Sequence, residues 1–147
     1  MPELVQHGEE YFLRTKSGDL APVSSWDIGV FDNSTDLLGD TSDLDSINTE
    51  PENDNYNRQT INADNNTFAL VDGNVEFEVE DVTFNFQDNS TDDTIDSWFI
   101  VIEYESNVVT SDEEPTDHLI VFGDLSEERN LGDLDNLTVE NIGTDID

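Results

Sequence analysis

The run IDSWFIVIEYES, residues 95–106, carries apolar side chains on both faces of an extended chain. One face holds Trp98, Ile100, Ile102 and Tyr104, and the other holds Phe99 and Val101. β-Branched and aromatic residues fit a pleated strand better than a buried helix. The pattern therefore predicts a strand that is covered on both sides over its first half.

Other stretches alternate more simply and predict further strands. SSWDIGVF, residues 24–31, places Trp26, Ile28 and Val30 on one face, HLIVFGDL at 118–125 is a strand, and Leu137 and Val139 mark a short one. In NVEFEVEDVTFNF, residues 74–86, the apolar positions change from odd to even numbers. A β-bulge or a tight bend near Glu80–Asp81 would reconcile the two halves.

The N-terminal segment has helical periodicity instead. Apolar or small residues recur at helical spacing at Leu4, Val5, Gly8, Tyr11 and Phe12. Pro2 suits a helix start, and KSGD at 16–19 is a stop signal. We expect residues 1–18 to form a helical arm.

Six to eight short strands at these spacings, after one helix, indicate an all-β fold, a jelly-roll-like β-sandwich with a short N-terminal helix. Residues 19–147 would form a single domain, with long exposed acidic loops at 32–57 and 105–117. The expected core packs Trp98 against residues of the other strands. Its predicted members are Trp26, Phe77, Phe84, Trp98, Ile100, Ile102 and Phe122.

The net charge indicates the salt conditions under which this chain folds. It has 37 Asp and Glu against four Lys and Arg, a formal net charge of −33. Such charge indicates disorder when apolar residues are scarce, but the patterned runs and eight Phe, three Tyr and two Trp favour a folded domain. At about 1 M salt the Debye length falls to about 3 Å, which removes most of the repulsion. We therefore expect a protein of an extreme halophile, or of a virus of such a host.

Several classes of protein are disfavoured by what the sequence lacks. There is no Cys for disulfides or thiolate metal sites. There is no run of 18 apolar residues and no signal-peptide pattern at the N-terminus, so we expect no membrane partner. The four cations, Arg14, Lys16, Arg58 and Arg129, are too few and too dispersed to hold nucleic acid.

Candidate chemistry is sparse. No phosphate loop, nucleophile elbow or zinc-protease motif occurs, and no pair of carboxylates stands out, so we expect no enzyme and no organic cofactor. His7 and His118 are expected to be ordinary surface or edge histidines, because a metal or catalytic pair would need them adjacent in space.

Acidic clusters are the candidates for cation binding. Asp40, Asp43 and Asp45 lie close together, and Asp88, Asp92 and Asp93 form a second group, without the spacing of an EF-hand. Structural Mg, Ca, Na or K ions are one interpretation, and loosely held salt cations are the other. Four glycosylation sequons begin at Asn33, Asn65, Asn89 and Asn136, at the frequency that this composition gives by chance.

The isolated cations suggest contacts rather than catalysis. Arg58 and Arg129 could form an intersubunit or core ion pair with a carboxylate, or could be solvated. Arg14 and Lys16 make the N-terminal helix the least acidic part of the chain. It is therefore our candidate for the docking end against an equally acidic partner.

The order of the segments resembles a family of small structural proteins of tailed bacteriophages. The matching segments are WDIGVFDN (26–33), YNRQ (56–59), VTFNF (82–86), DSWFIVIE (96–103), LIVFGDL (119–125) and NLGDLDNLTV (130–139). Arg58 stands at the Arg of the family's Tyr-x-Arg-Gln segment. The resemblance spans roughly residues 4–146, with acidic insertions at 32–55 and 105–117 and without the usual Gly after the Trp strand.

The resemblance implies a virion component in a haloarchaeal version. We expect a capsid decoration or turret subunit on the particle exterior, which forms homo-oligomers and contacts the major capsid protein. A tail or baseplate fibre-attachment protein, a host-surface-binding module and a halophilic cellular β-domain remain the alternatives.

Overall fold

The structure is a computed structural model of the chain. It describes residues 3–21, 23–52, 55–62, 67–71, 74–86, 93–104, 116–133, 136–140 and 142–146, with the backbone alone at 67–71, 74–77, 116, 133 and 143–146.

The described residues contain ten strands, two α-helices and two 3₁₀ turns. The helices are α1 (Gln6–Lys16) and α2 (Asn33–Asp36), and the 3₁₀ turns are Leu44–Ser46 and Leu131–Asp133. The strands are β1 (Glu3–Leu4), β2 (Ser25–Phe31), β3 (Gln59–Asn62), β4 (Thr67–Val71), β5 (Asn74–Glu78), β6 (Val82–Asn85), β7 (Thr94–Tyr104), β8 (Thr116–Asn130), β9 (Asn136–Val139) and β10 (Gly143–Ile146).

The strands form antiparallel sheets, so the predicted all-β class with a short N-terminal helix is confirmed. Within the described ranges, a five-stranded sheet has the order β1-β8-β7-β2-β3, a three-stranded sheet β10-β5-β4, and a two-stranded sheet β6-β9. The predicted number of strands was too low. The sequence showed neither β1 nor β10, and β8 continues beyond the predicted HLIVFGDL to Asn130.

Strand β7 lies inside the five-stranded sheet and is covered on both faces, as predicted. Trp98, Ile100, Ile102 and Tyr104 belong to the larger apolar cluster, and Phe99 and Val101 belong to a second one. The larger cluster also takes in Phe84 of the two-stranded sheet, so that cluster lies between sheets.

The second cluster is covered by the acidic segment that follows β2. Leu38, Leu44 and Ile47 pack against Phe31, Phe99 and Phe122 on this face. The prediction of a long exposed loop at 32–57 is therefore wrong for this part. Residues 32–52 form a lid over this face of the sheet: Leu38, Leu44 and Ile47 pack against it, whereas Leu37 is exposed.

Phe122 is buried, but on the face opposite to the predicted one. A register shift places Ile100 opposite Val121 and Val101 opposite Leu119, so Ile120 is an extra residue in β8. Because a bulge reverses the alternation that follows it, Ile120 and Val121 both join the larger cluster while Phe122 joins the second. Trp98 instead lies over Gly123, where an added Cβ would be 2.5 Å from the indole ring.

The change of parity between β5 and β6 is a change of sheet. The chain leaves strand structure at residues 79–81, and β5 and β6 then pair in different sheets. This confirms the predicted interruption near Glu80–Asp81. The backbone of Phe77 pairs with Phe68 and Thr144, but its side chain lies outside the described residues, so its predicted place in the core stays a prediction.

Helix α1 lies on the sheet rather than projecting from it. The amide of Val5 donates to the carbonyl of Ile120 at 3.0 Å, and a Cβ on Gly8 would be 2.2 Å from that same oxygen. Tyr11 is buried in the larger cluster. The helix ends where predicted, with Gly18 at a φ of 81° beyond it. Among the described residues, neither helix has the length and apolarity needed to cross a membrane.

Candidate functional site

The two histidines meet across the contact between α1 and β8, although 110 residues separate them in the sequence. Their rings stack with centroids 4.5 Å apart and planes inclined by 17°. His7 is 5% exposed, so the expectation of an ordinary surface or edge histidine is wrong for it. No local sequence pattern indicates the pairing, because it depends on how α1 docks on the sheet.

Tyr104 joins the two histidines into a closed group of contacts. Its hydroxyl donates to the backbone carbonyl of His7 at 2.7 Å, and its ring lies 4.8 Å from that of His118. The imidazole of His118 in turn hydrogen-bonds the backbone of Tyr104. The group therefore ties α1, β7 and β8 together at one point.

The surroundings of His118 favour its neutral form. Burial lowers the pKa of His118, and His7 lowers it further, whereas Glu10 and Asp117 act in the opposite direction. Nδ1 of His7 is buried and has no hydrogen-bond partner among the described residues. A charge placed here would lose hydration without gaining a full set of new contacts.

Arg58 forms an ion pair inside the chain. Its Nε and one terminal nitrogen donate to the two carboxylate oxygens of Glu50, each at 2.8 Å. Its guanidinium also lies 5.2 Å from the ring centre of Phe99. A bidentate pair that is stacked on an aromatic ring uses the planar shape of Arg in two ways.

Tyr56 extends this ion pair to the central sheet. Its hydroxyl accepts from the amide of Val30 at 3.1 Å and donates to Glu50 at 2.9 Å. Strand β3 pairs with β2 only from Ser25 to Ile28, so Val30 lies beyond the last of those pairs. The phenol oxygen of Tyr56 accepts the hydrogen bond of the Val30 amide there. Burial raises the pKa of Tyr56, and Glu50 raises it further, so the phenol stays a hydrogen-bond donor.

The remaining cations lie on β8 and on α1. Arg129 pairs with Glu127 at 2.7 Å, and both side chains are more than a third exposed. Arg14 pairs with Glu10 at 3.1 Å and Asp19 at 2.8 Å. Lys16 is exposed on α1, as is Leu13, whose side chain is 68% exposed.

The candidate cation ligands do not come together as the sequence suggested. Within the described residues no group of three or more His, Asp or Glu is arranged to hold a metal ion, so Asp40, Asp43 and Asp45 are not such a group. The Asp40 carbonyl accepts from the amide of Gln6, and Asp43 caps the 3₁₀ turn through Ser46. Of the second group, Asp88 and Asp92 lie outside the described residues.

Other carboxylates of the lid act as acceptors for its backbone. Asp36 accepts from the amides of Asn48 and Thr49, and Asp96 of β7 accepts from those of Asn33 and Ser34. Burial acts to raise the pKa of Asp32, but hydrogen bonds from Ser34 and Thr35 outweigh it and lower that pKa.

The structure describes two of the four sequon asparagines. Asn33 uses its side-chain oxygen to accept from the amide of Leu38, and Asn136 is exposed in β9. Asn65 and Asn89 lie outside the described residues.

Comparisons with protein-family models, with curated proteins and with solved structures find no match to this chain.

Proposed function

We propose that the protein is a structural, non-catalytic subunit of the virion of a halophilic tailed virus, and that it decorates the capsid as an oligomeric turret. The proposal includes a jelly-roll-like arrangement of the sheets, assembly with copies of itself, and attachment to the major capsid protein. It follows the resemblance of the segments quoted above.

The observation that carries the proposal is that those segments contact one another. Tyr56 and Arg58, from YNRQ, hold the amide of Val30 and the ring of Phe99. Gly123, from LIVFGDL, gives room to the indole of Trp98. These contacts support the proposal because the segments that carry the resemblance are packed together in one fold.

The docking surface in this proposal is the outer face of α1. Arg14 pairs with two carboxylates, those of Glu10 and Asp19, while Leu13 and Lys16 are exposed. In a chain of net charge −33, a face with little negative charge and one exposed Leu meets an acidic lattice with least repulsion.

Labelling of purified particles tests the location. Particles would be purified in molar salt and labelled with an antibody against this chain for electron microscopy. We expect label on the heads. Label at the tail or baseplate would support the fibre-attachment alternative, and a protein absent from particles would contradict any virion role. Binding of the purified protein to host cells would favour the host-surface module.

Two exposed leucines provide a matched test of the docking face. Leu13 and Leu37 are 68% and 76% exposed, on α1 and at the end of α2. Burial of a Leu is worth about 1.5–3 kcal/mol, so Leu13→Gln should weaken attachment to capsids at least about tenfold. Leu37→Gln should leave it unchanged. Equal binding by both variants would place the docking face elsewhere.

A further inference from the structure

We propose that His7, His118 and Tyr104 form an acid-sensitive latch, which holds α1 on the sheet at neutral pH and loosens it as the pH falls. This inference concerns how the helix is held and does not depend on the proposed function.

The geometry leaves little room for a charged imidazole. The rings lie face to face at 4.5 Å, and His7 is almost fully buried. A proton on the buried His7 ring would place a cation where little water reaches it, and protons on both rings would set two cations side by side. When α1 lifts, both rings gain water, so the open state accepts protons more readily than the closed one.

Stacking also argues against the two histidines sharing a metal ion as they stand. Each ring nitrogen binds a metal through a lone pair in the plane of its ring, and the planes here are inclined by only 17°. The lone pairs therefore lie in two separate layers and do not converge on one point. Proton uptake coupled to the lifting of α1 is the chemistry that this pair offers.

Other charged groups near the latch modify the effect. Glu10 on α1 and Asp117 on β8 favour a charged His118, but Arg14 already pairs with Glu10. Tyr11 and Tyr104 approach each other beside the pair with their rings 5.3 Å apart. On the β1 side, hydrogen bonding to Asp40, and then burial, raise the pKa of Glu3. A carboxyl whose pKa is raised in the closed state stabilises that state as pH falls, which opposes the effect of the histidines. The latch should therefore be measured above pH 5.5, where most carboxylates stay ionised.

Proton linkage sets the direction in which the stability of the closed state changes with pH. A histidine whose pKa is lower in the closed state binds fewer protons there than in the open state. The closed state is fully favoured above the ordinary histidine pKa of about 6.5, and it loses that stability as pH falls below this value. One excluded proton changes the opening equilibrium by up to about tenfold per pH unit.

Hydrogen exchange followed by mass spectrometry tests the latch in the full chain. Peptides covering α1 would be measured from pH 8 to 5.5 in molar KCl with a chelator, and each rate would be divided by the intrinsic rate. In the wild type we expect the opening of α1 to increase at least about fivefold between pH 7.5 and 5.5, within the limit set by one proton. Peptides of β7 should change less.

His118→Phe is the matched variant, because Phe can stack on His7 but cannot titrate. Its α1 should open with a much flatter pH dependence, and His7→Phe provides the reciprocal variant. Equal slopes in the wild type and His118→Phe would overturn the latch. Should neither variant fold, NMR titration of the wild-type His118 ring decides: a pKa below 6.5 supports the latch and one above 6.5 contradicts it.

Discussion

At the scale of single residues, two glycines of the central sheet stand where larger neighbours need room. Gly29 in β2 faces the ring of Phe99, and an added Cβ would lie 2.4 Å from it. Gly123 in β8 does the same for Trp98. Neither has a positive φ among the described backbone, so these positions require glycine for space rather than for backbone conformation.

Gly29→Ala should therefore destabilise the protein by overpacking. The expected loss is about 1–3 kcal/mol of the free energy of unfolding, since neither Phe99 nor Tyr56 can move away without disturbing the second cluster or the Glu50 contact. Gly39→Ala is the control, because nothing lies within 4 Å of its added Cβ. Chemical unfolding in molar KCl measures both. Similar losses in both variants would mean that backbone freedom, not space, is the cause.

The Arg58 ion pair gives a second prediction at this scale. Arg58→Lys keeps the charge but loses the bidentate geometry and the flat contact with Phe99. We expect about 1–2 kcal/mol of destabilisation, measured by urea unfolding at constant salt. Arg129→Lys should change stability by less than about 0.5 kcal/mol, because its pair with Glu127 is largely solvated. Equal losses of stability in the two variants would mean that the Arg58 pair contributes no more than a solvated surface pair.

At the scale of elements, periodicity predicted α1, β2 and β7 well because each carries several apolar residues at one spacing. It failed where a feature depends on partners that are distant in the sequence. The bulge at Ile120 reversed the face of Phe122. The stacking of His7 on His118 follows from the docking of α1 and leaves no local pattern. Glu50, the partner of Arg58, could not be selected from among 37 acidic residues.

The lid shows how an acidic segment folds without basic residues. Its apolar anchors, Leu38, Leu44 and Ile47, are spaced too irregularly among Asp and Ser to predict an element. Its backbone amides are instead satisfied by carboxylates from within the lid and from β7. A charged acceptor makes a stronger hydrogen bond than a neutral one, so these Asp residues hold the lid as well as solvate it.

Asp36→Ala should loosen the lid without unfolding the sheet. It removes the acceptor shared by the amides of Asn48 and Thr49 and the Thr49 hydroxyl. Leaving these donors without a charged partner should raise hydrogen exchange at residues 44–50 by at least about tenfold. Asp45→Ala, at an exposed position, is the control. If the exchange of β7 rose equally, the lid would not be a separate unit.

At the scale of the whole molecule, the balance is between the apolar clusters and the net charge of −33. Three of the four cations, Arg14, Arg58 and Arg129, already neutralise particular carboxylates. Most acidic residues must therefore rely on dissolved cations and water. Repulsion within a compact chain grows as salt is removed, because the Debye length rises from about 3 Å at 1 M to about 30 Å at 0.01 M.

The fold should therefore be lost on transfer to dilute buffer and regained in KCl. We expect β-sheet circular dichroism and tryptophan fluorescence to show an unfolded chain at about 0.01 M salt, and the urea midpoint to rise with KCl. Screening alone should act mostly below about 0.3 M, since the Debye length is already about 8 Å at 0.15 M. A midpoint that keeps rising towards 3 M would show that cations and their water also hydrate the folded surface.

Sucrose at equal osmolality is the control for general exclusion from the protein surface, which it shares with kosmotropic salts. A chain that stays folded in dilute buffer, or that sucrose rescues as well as KCl does, would contradict the halophilic interpretation and the environment assigned to the virion.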